Sequence, residues 1–328
     1  MIAVALPAIA AAFGVSGGTV TTWLVTSYLI VNIALTSSAG RLGDLLGRRR
    51  ALGIGQGLFV AGALVGGVSP VFSGVVAGRI LMAIGGAVVI PAVMATLRSA
   101  YAPEHRPRLF ARLGALMGIA AAIGPVLGGV LTGRFGWQAI FLVNAPLLAL
   151  AILLARHAPA AAHPAAVTPD DRGAEPVWKR FDLPGVLLLV TGLATLTLGL
   201  RLTGSRWIFL PLGFVGLLLF VLRQRRAADP LIDLRLFRRA PFVAGGLIVA
   251  LQNLSMYALL FQLPFVLEGP MDLDPALGGM VLLAMMATMV VAAPVGGRIS
   301  ERIGVRATVL AGVAIGAGGL VVGLHALD

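Results

Sequence analysis

Arg79 is a guanidinium set inside an apolar run, with no other charged residue between Pro70 and Leu97. A cation at mid-membrane costs roughly 2.5 kcal/mol or more, so such a residue faces protein or a wet cavity rather than lipid. There it can meet a substrate's charge or take part in proton coupling. The plainer reading is snorkelling, since it lies about seven residues, some 10 Å, from the outer end of its run.

A second cluster is Gly40 to Arg50, GRLGDLLGRRR, with arginines at 41, 48, 49 and 50 around Asp44. Glycines at 40, 43 and 47 let the backbone turn tightly between two helices. Asp44 can pair with a neighbouring arginine or sit near the positive start of the next helix. Gly40, Asp44, Gly47, Arg48 and Arg49, with Arg112 as a further partner, could form a latch that opens and closes one face. Each exposed pair is worth only ~0.2–1 kcal/mol, weak enough to break in a cycle. A purely topological anchor would have the same composition.

Gly124, Pro125, Gly128 and Gly129 form a third set. Proline removes a backbone bond and the glycines give a smooth helix face, which suits either a bend or close helix packing. Candidate ligand contacts are Trp23, Tyr28 and Asn32 in one run and Gln252, Asn253, Tyr257 and Gln262 in another. Each could face a cavity, a neighbour or lipid, and aromatics near span ends commonly form interface belts. No carboxylate lies deep in an apolar run, so a cation-selective pocket is not supported, while neutral or amphiphilic ligands fit. The histidines at 105, 157, 163 and 325 lie in loops or at an end, without metal-ligand spacing, and there is no P-loop. No catalytic site, cofactor or ATP drive is expected.

The elements that must hold these residues are membrane helices. The chain has 328 residues, 59% hydrophobic and 12% charged, with mean hydropathy +0.98. A soluble protein of this size cannot hide successive uncharged runs of about 20 residues. Glycine is abundant, at 43 residues, as expected where helices pack closely in lipid. With no cysteine there is neither a disulfide framework nor a thiolate metal site. The net charge of +12 could suggest nucleic acid, but its placement argues otherwise. Most of the 25 basic residues fall in alternate loops, at 41–50, 98–112, 156–180, 223–239 and 298–306. That is the positive-inside pattern, and it sets orientation with these loops cytoplasmic.

Spans are expected at about 20–40, 51–69, 72–97, 110–132, 137–156, 183–202, 206–222, 242–264, 276–296 and 307–326. Met1 to Phe13 is too short to cross and reads as the outer end of a first helix. Between spans, 157–182 is an Ala/Pro-rich cytoplasmic linker. The basic stretch 223–241 has Leu231, Leu234 and Phe237 at helical spacing, as in a short helix on the inner membrane face. The outer loop 265–275 carries Glu268, Asp272 and Asp274 and no basic residue.

The arginine-rich turn recurs as Gly297 to Arg306, GRISERIGVR, at an offset of 257 residues. Gly40 falls on Gly297, Asp44 on Glu301, Gly47 on Gly304 and Arg49 on Arg306. Two helix-joining turns with glycine, acid, glycine and arginine in register suggest duplicated halves, as many transporters have. The expected organisation is a six-helix half at 1–156, the linker, an inserted helix pair at 183–222, the basic stretch, and a partial second half of three helices at 242–328.

These residues resemble the major facilitator superfamily, in particular its fourteen-helix drug:proton antiporter branch. GRLGDLLGRRR is similar to the signature between helices two and three, and GRILMAIGGA at 78–87 to the helix-four signature. GALMGIAAAIGPVLGGVLTG at 114–133 resembles the helix-five signature of the antiporters. GWQAIFLVNAP at 136–146 resembles the segment opening helix six, and VALPAIA at 4–10 the late part of helix one. Met82 departs from the family's usual glutamine, and Gln138 and Ala139 from its arginine and tryptophan. The resemblance further implies that an early acidic residue of helix one and the last three helices lie outside this chain, which would then be truncated at both ends.

The resemblance implies an all-α polytopic protein of the inner (plasma) membrane, not an enzyme. It would move a small amphiphilic molecule or drug outward by alternating access, with energy from proton antiport. Arg79 would serve proton coupling, the 40–49 turn with Arg112 the inner gate, and Gly124, Pro125, Gly128 and Gly129 the antiporter bend. Partners are the lipid bilayer, a small-molecule substrate and protons, with no nucleic acid; oligomeric state is not readable. A non-transporting membrane fragment or interaction module, or a metabolite importer of the same superfamily, are the competing readings.

Overall fold

The computed structural model describes residues 1–102, 105–156, 182–202, 204–227, 230–269, 271 and 273–325, and among them it holds helices and turns but no strand. The helices are α1 (Ile2–Phe13), α2 (Gly17–Val20), α3 (Ser27–Leu46), α4 (Arg48–Val68), α5 (Phe72–Ala100) and α6 (Arg106–Phe135). They continue as α7 (Ala139–Leu142), α8 (Asn144–Arg156), α9 (Leu183–Arg201), α10 (Arg206–Arg226), α11 (Ala240–Glu268), α12 (Pro275–Ile303) and α13 (Val305–His325). Their starts are written in the sequence. Proline occupies the first or second position of α6, α9, α11 and α12, where its missing N–H costs nothing. Asp182, Asp274 and Ser16 cap α9, α12 and α2 by accepting from the backbone N–H groups of Gly185, Ala276 and Thr19.

Against ten full spans expected, seven stretches among the described residues are long and apolar enough to cross a bilayer, and four shorter apolar helical stretches accompany them. One expected span is also interrupted. The expected span 137–156 is broken between α7 and α8, where Asn144 Nδ2 donates to the carbonyls of Ile140 and Phe141, at 3.0 and 2.8 Å. That side chain competes with the helix for its own backbone, and Pro146 has no N–H to offer the turn before it.

The repeated turns are tighter than expected. Helix α3 continues to Leu46, so of the glycines at 40, 43 and 47 only Gly47 turns the chain, at φ +84°. Its counterpart Gly304 does the same at φ +86°. In each, the glycine carbonyl accepts from the N–H four residues on, from Ala51 at 3.0 Å and from Thr308 at 3.2 Å. The sequence repeat is thus a repeat of backbone geometry. With ψ at 133° and 156°, both glycines sit in or beside the extended positive-φ region that only glycine enters readily, and a side chain there is strained by roughly 1–3 kcal/mol, with open space around both. Gly47→Ala and Gly304→Ala are therefore each expected to destabilise by about that much, read as earlier unfolding in detergent.

Pairing of helices fixes which end each turn occupies. Helices α4 and α5 are antiparallel, with Gly55 beside Gly85 and Gly62 beside Gly78, so Gly47 lies at the end where α5 leads into α6. Helices α6 and α12 are antiparallel too, Gly118 facing Val290, Pro125 facing Gly279 and Gly133 facing Asp274. Gly304 is therefore at the same end as Gly47. Helix α9 runs against α3, with Arg201 Nη2 donating to Thr19 Oγ1 at one end and Val186 and Leu189 packed with Ala34 toward the other. Asp182, its ion-pair partner Arg223 and the start of α11 consequently join the arginine turns. Glu268 and Asp274 lie at the opposite end. The sidedness read from loop charges is realised in three dimensions.

The main core is built where α1, the α2–α3 segment, α4, α5 and α7 meet, around Leu6, Ile9, Leu24, Val75, Trp137 and Phe141. A second cluster docks the α9–α10 hairpin onto α3 through Ala34, Val186, Leu189 and Phe220. That hairpin is clamped at its arginine-bearing end. Asp182, with a side chain 7% exposed, takes Arg223 Nε at 2.6 Å, Gln224 Nε2 at 2.9 Å and its capping bond. Burial pushes this carboxyl up, but the hydrogen bonds from Arg223, Gln224 and Gly185 and the charge of Arg223 outweigh it and hold it below the usual carboxylate range. Since its folded pKa is depressed, the stability it adds is full above the unfolded value near 3.9 and is lost as pH falls through the folded value. Asp182→Ala is expected to cost about 0.5–2 kcal/mol at neutral pH and nothing below that window, a difference that unfolding at two pH values measures.

Two further expectations are corrected, and a third falls outside the described residues. Leu231, Leu234 and Phe237 do not share one amphipathic helix: only Leu234–Arg238 is helical, as a 3₁₀ turn capped by Asp233, and Leu231 packs into the α9–α10 cluster. The outer loop expected from 265 starts later, because α11 runs to Glu268 and one of that side chain's oxygens, Oε1, is buried. The linker 157–182 lies outside the described residues except for Asp182.

Candidate functional site

Arg79 is held at 9% exposure by α5, next to the α4–α5 contact at Gly78. Its Nε donates to the carbonyl of Leu24 at 3.1 Å, its Nη1 lies 3.9 Å from Met82 Sδ, and its guanidinium carbon sits 4.3 Å from the centre of the Tyr28 ring. The snorkelling alternative is thereby disfavoured, because the head is turned into protein. Leu24 belongs to a π-helical stretch, Thr21–Thr26, in which Ser27 N–H reaches back five residues to the carbonyl of Thr22. Such a bulge weakens the local ladder and leaves carbonyls open to outside donors.

The residues that support Arg79 follow a glycine pattern. A Cβ at Gly86 would lie 3.1 Å from Tyr28 Oη and 3.3 Å from Asn32 Nδ2, so that glycine makes room for both. Asn32 Nδ2 also donates to the Ala83 carbonyl at 3.2 Å. Beside the arginine is a cavity of about 150 Å³, lined by Arg79, Met82, Asn144, Phe59, Phe141 and the start of α1. Arg79 is the one charged side chain on that wall, and among the described residues it has no ion-pair partner. A buried cation with a carbonyl, a ring face and a thioether around it keeps unused donors, and those donors can meet a polar or anionic group entering the cavity.

Of the other candidates, Tyr28 lies against the Arg79 guanidinium, and Asn32 bonds α5 one turn further on at the Ala83 carbonyl. Neither lines the cavity, and Trp23 is 40% exposed. Gln252, Tyr257 and Gln262 are exposed and Asn253 half-buried on α11, away from the cavity wall, with Tyr257 stacked on Phe261 at 5.9 Å. Gly124 and Gly128 face Met1 at the start of α1, and the Pro125 carbonyl would lie 2.7 Å from a Cβ on Gly279. Gly129 is buried, and α6 runs unbroken through Pro125. The side chains of Asp44, Arg48 and Arg49 lie outside those described, as does that of Gly40's neighbour Arg41; Arg112 is exposed at the same end.

Two residues were not singled out from sequence. Asn144 reached the cavity wall through the α7–α8 break, and only the Asn-Ala-Pro spacing could have hinted at it. Glu268 has a buried oxygen without a partner among the described residues, because α11 carries it past the expected helix end.

A family model described as Major Facilitator Superfamily matches residues 1–327. The chain belongs to the Major Facilitator Superfamily. Its helices accordingly form a multi-pass membrane protein of a transporter family. The chain is 32% identical over 324 residues to an uncharacterized MFS-type transporter, YvkA, of Bacillus subtilis (strain 168), covering 97% of this chain and 70% of that one. It is 30% identical over 306 residues to the tetracenomycin C resistance and export protein of Streptomyces glaucescens, covering 91% and 55% respectively. It is 25% identical over 337 residues to the multidrug transporter protein MdtP of Bacillus subtilis (strain 168), covering 100% and 60%. This chain therefore spans between 55 and 70% of the length of these relatives.

Proposed function

We propose that this superfamily member works in the fourteen-helix drug:proton antiporter manner, exporting small amphiphilic compounds across the plasma membrane by alternating access and drawing energy from inward proton flow. The observation that carries the reading is Arg79, buried without a carboxylate partner among the described residues on the wall of a cavity that also holds Asn144. A cation kept in that setting disfavours cationic ligands and favours neutral or anionic polar groups borne on apolar bodies. Names of relatives that denote antibiotic export and multidrug transport support the same direction.

In this scheme two related helical lobes rock against each other, the Arg79 cavity lying within the first, and the α9–α10 hairpin is an inserted pair between them. The Gly40–Arg49 turn, with Arg112, closes the cytoplasmic face, and the α6 stretch from Gly124 to Gly129 lines the contact between lobes. Pro125 packed against Gly279 of α12 supports that last role, because α6 there touches a helix of the second part. The test is efflux from proteoliposomes carrying a panel of anionic, neutral and cationic dyes under an imposed proton gradient. Gradient-dependent export of neutral or anionic amphiphiles is expected, and export indifferent to the gradient would overturn the coupling. Asp44→Asn is expected to slow the initial rate several-fold with membrane insertion intact; an unchanged rate would remove the turn from the gate.

A further inference from the structure

The segment that joins α10 to α11 is pinned down and strongly basic. Gln224, 3% exposed, accepts from the backbone N–H groups of Leu231 and Ile232 and donates to Asp182, so the strap is bolted to the hairpin rather than trailing from it. Of the arginines here, Arg223 is paired with Asp182, but Arg225, Arg226, Arg235, Arg238 and Arg239 are exposed. Asp233 spends its side chain on capping the 3₁₀ turn, accepting from Arg235 N–H at 2.9 Å. Next to these charges lie Phe237 and Phe242, 55% and 44% exposed, packed edge to face with centroids 5.4 Å apart.

Position and chemistry agree. The strap spans the ends of two membrane helices, which sets it at the height of the headgroups, on the side where all the arginine turns gather. Arginine presents a planar fork that matches phosphate oxygens two at a time, and every basic residue of the strap is arginine. An exposed aromatic pair beside such forks suits the boundary between headgroup and acyl chain. We propose that the strap is a docking surface for anionic phospholipid headgroups of the inner leaflet. Arg235, Arg238 and Arg239 hold the phosphate, and the Phe237–Phe242 pair rests among the upper acyl carbons. Topological retention of positive loops needs charge alone; this site needs the guanidinium fork and a fixed strap.

The chain has no cysteine, so a single label is clean. Leu236→Cys carrying a bimane is reconstituted in mixed phosphatidylcholine–phosphatidylglycerol vesicles in which one lipid or the other has brominated, quenching acyl chains. Brominated phosphatidylglycerol is expected to quench several-fold more than the same fraction of brominated phosphatidylcholine, with the preference falling toward unity as salt rises to about 0.5 M. A label at Ser205→Cys, on the opposite end, is expected to show no preference. Combining Arg235→Gln, Arg238→Gln and Arg239→Gln should abolish the preference, and lysine at the same three positions should weaken it while keeping the charge. Equal quenching by the two lipids, or an equal preference at both labels, would overturn the proposal. So would a preference that lysine leaves whole, or one that inorganic phosphate erases at constant ionic strength, which would assign a free-anion site instead.

Discussion

Replacing Arg79 with alanine is expected to lower the proposed proton-driven efflux by about ten- to a hundredfold, the equivalent of losing a charge-assisted contact worth roughly 1.5–3 kcal/mol. The protein should still insert and fold, because removing a buried cation also removes its desolvation cost. Arg79→Gln separates two roles. Glutamine can still donate to the Leu24 carbonyl, which is where Nε now donates at 3.1 Å, but it brings no charge to the cavity. If Arg79 only braces α5 against the π-helical stretch, glutamine will restore efflux; if its charge matters, glutamine will fail and lysine will recover part. Normal efflux by the alanine variant would remove Arg79 from the mechanism altogether.

The largest effect on stability is expected at the α4–α5 seam. A Cβ on Gly78 would lie 2.5 Å from the Gly66 nitrogen and 2.6 Å from the Gly62 carbonyl, and one on Gly85 would lie 2.5 Å from the Gly55 carbonyl and the Phe59 nitrogen. These obstacles are backbone, which cannot rotate aside, so the helices must separate and give up the dispersion contacts that hold them in lipid. Gly78→Ala is expected to cost about 1–3 kcal/mol, and Gly78→Val more, with the Arg79 cavity disturbed as well. Gly57, on the same α4 and with nothing within 4 Å of its Cβ, supplies the control: alanine there should be neutral or slightly stabilising. Urea or detergent unfolding of the three variants decides it, and equal stability of Gly78→Ala and Gly57→Ala would refute the seam.

Why Gly78 and Gly57 differ so much is not visible in the chain itself. Both are glycines in apolar runs, and the sequence marks glycine abundance as a sign of close packing without saying which glycines face a neighbour. The family resemblance picked out Gly78 through its signature, but the steric reason appears only when Gly62 and Gly66 are laid against it. The same holds for the turn at 40–50. Three glycines were available to bend the chain, and helix propagation through Leu46 left the bend to Gly47 alone.

Membrane residence, the side on which arginines gather and the doubled turn were written in composition and order, because apolar length, loop charge and a 257-residue offset are one-dimensional quantities. The partners of each side chain were not. Arg79 could have snorkelled or turned inward, and only the meeting of Leu24, Tyr28 and Met82 around it decides which. Asn144 reached the cavity wall because of a break in the helix, and the strap of exposed arginines acquired a fixed place because Gln224 holds its backbone. Those outcomes depend on which distant helix faces fall together, a choice made by packing in three dimensions and by the need of every buried polar group for a partner.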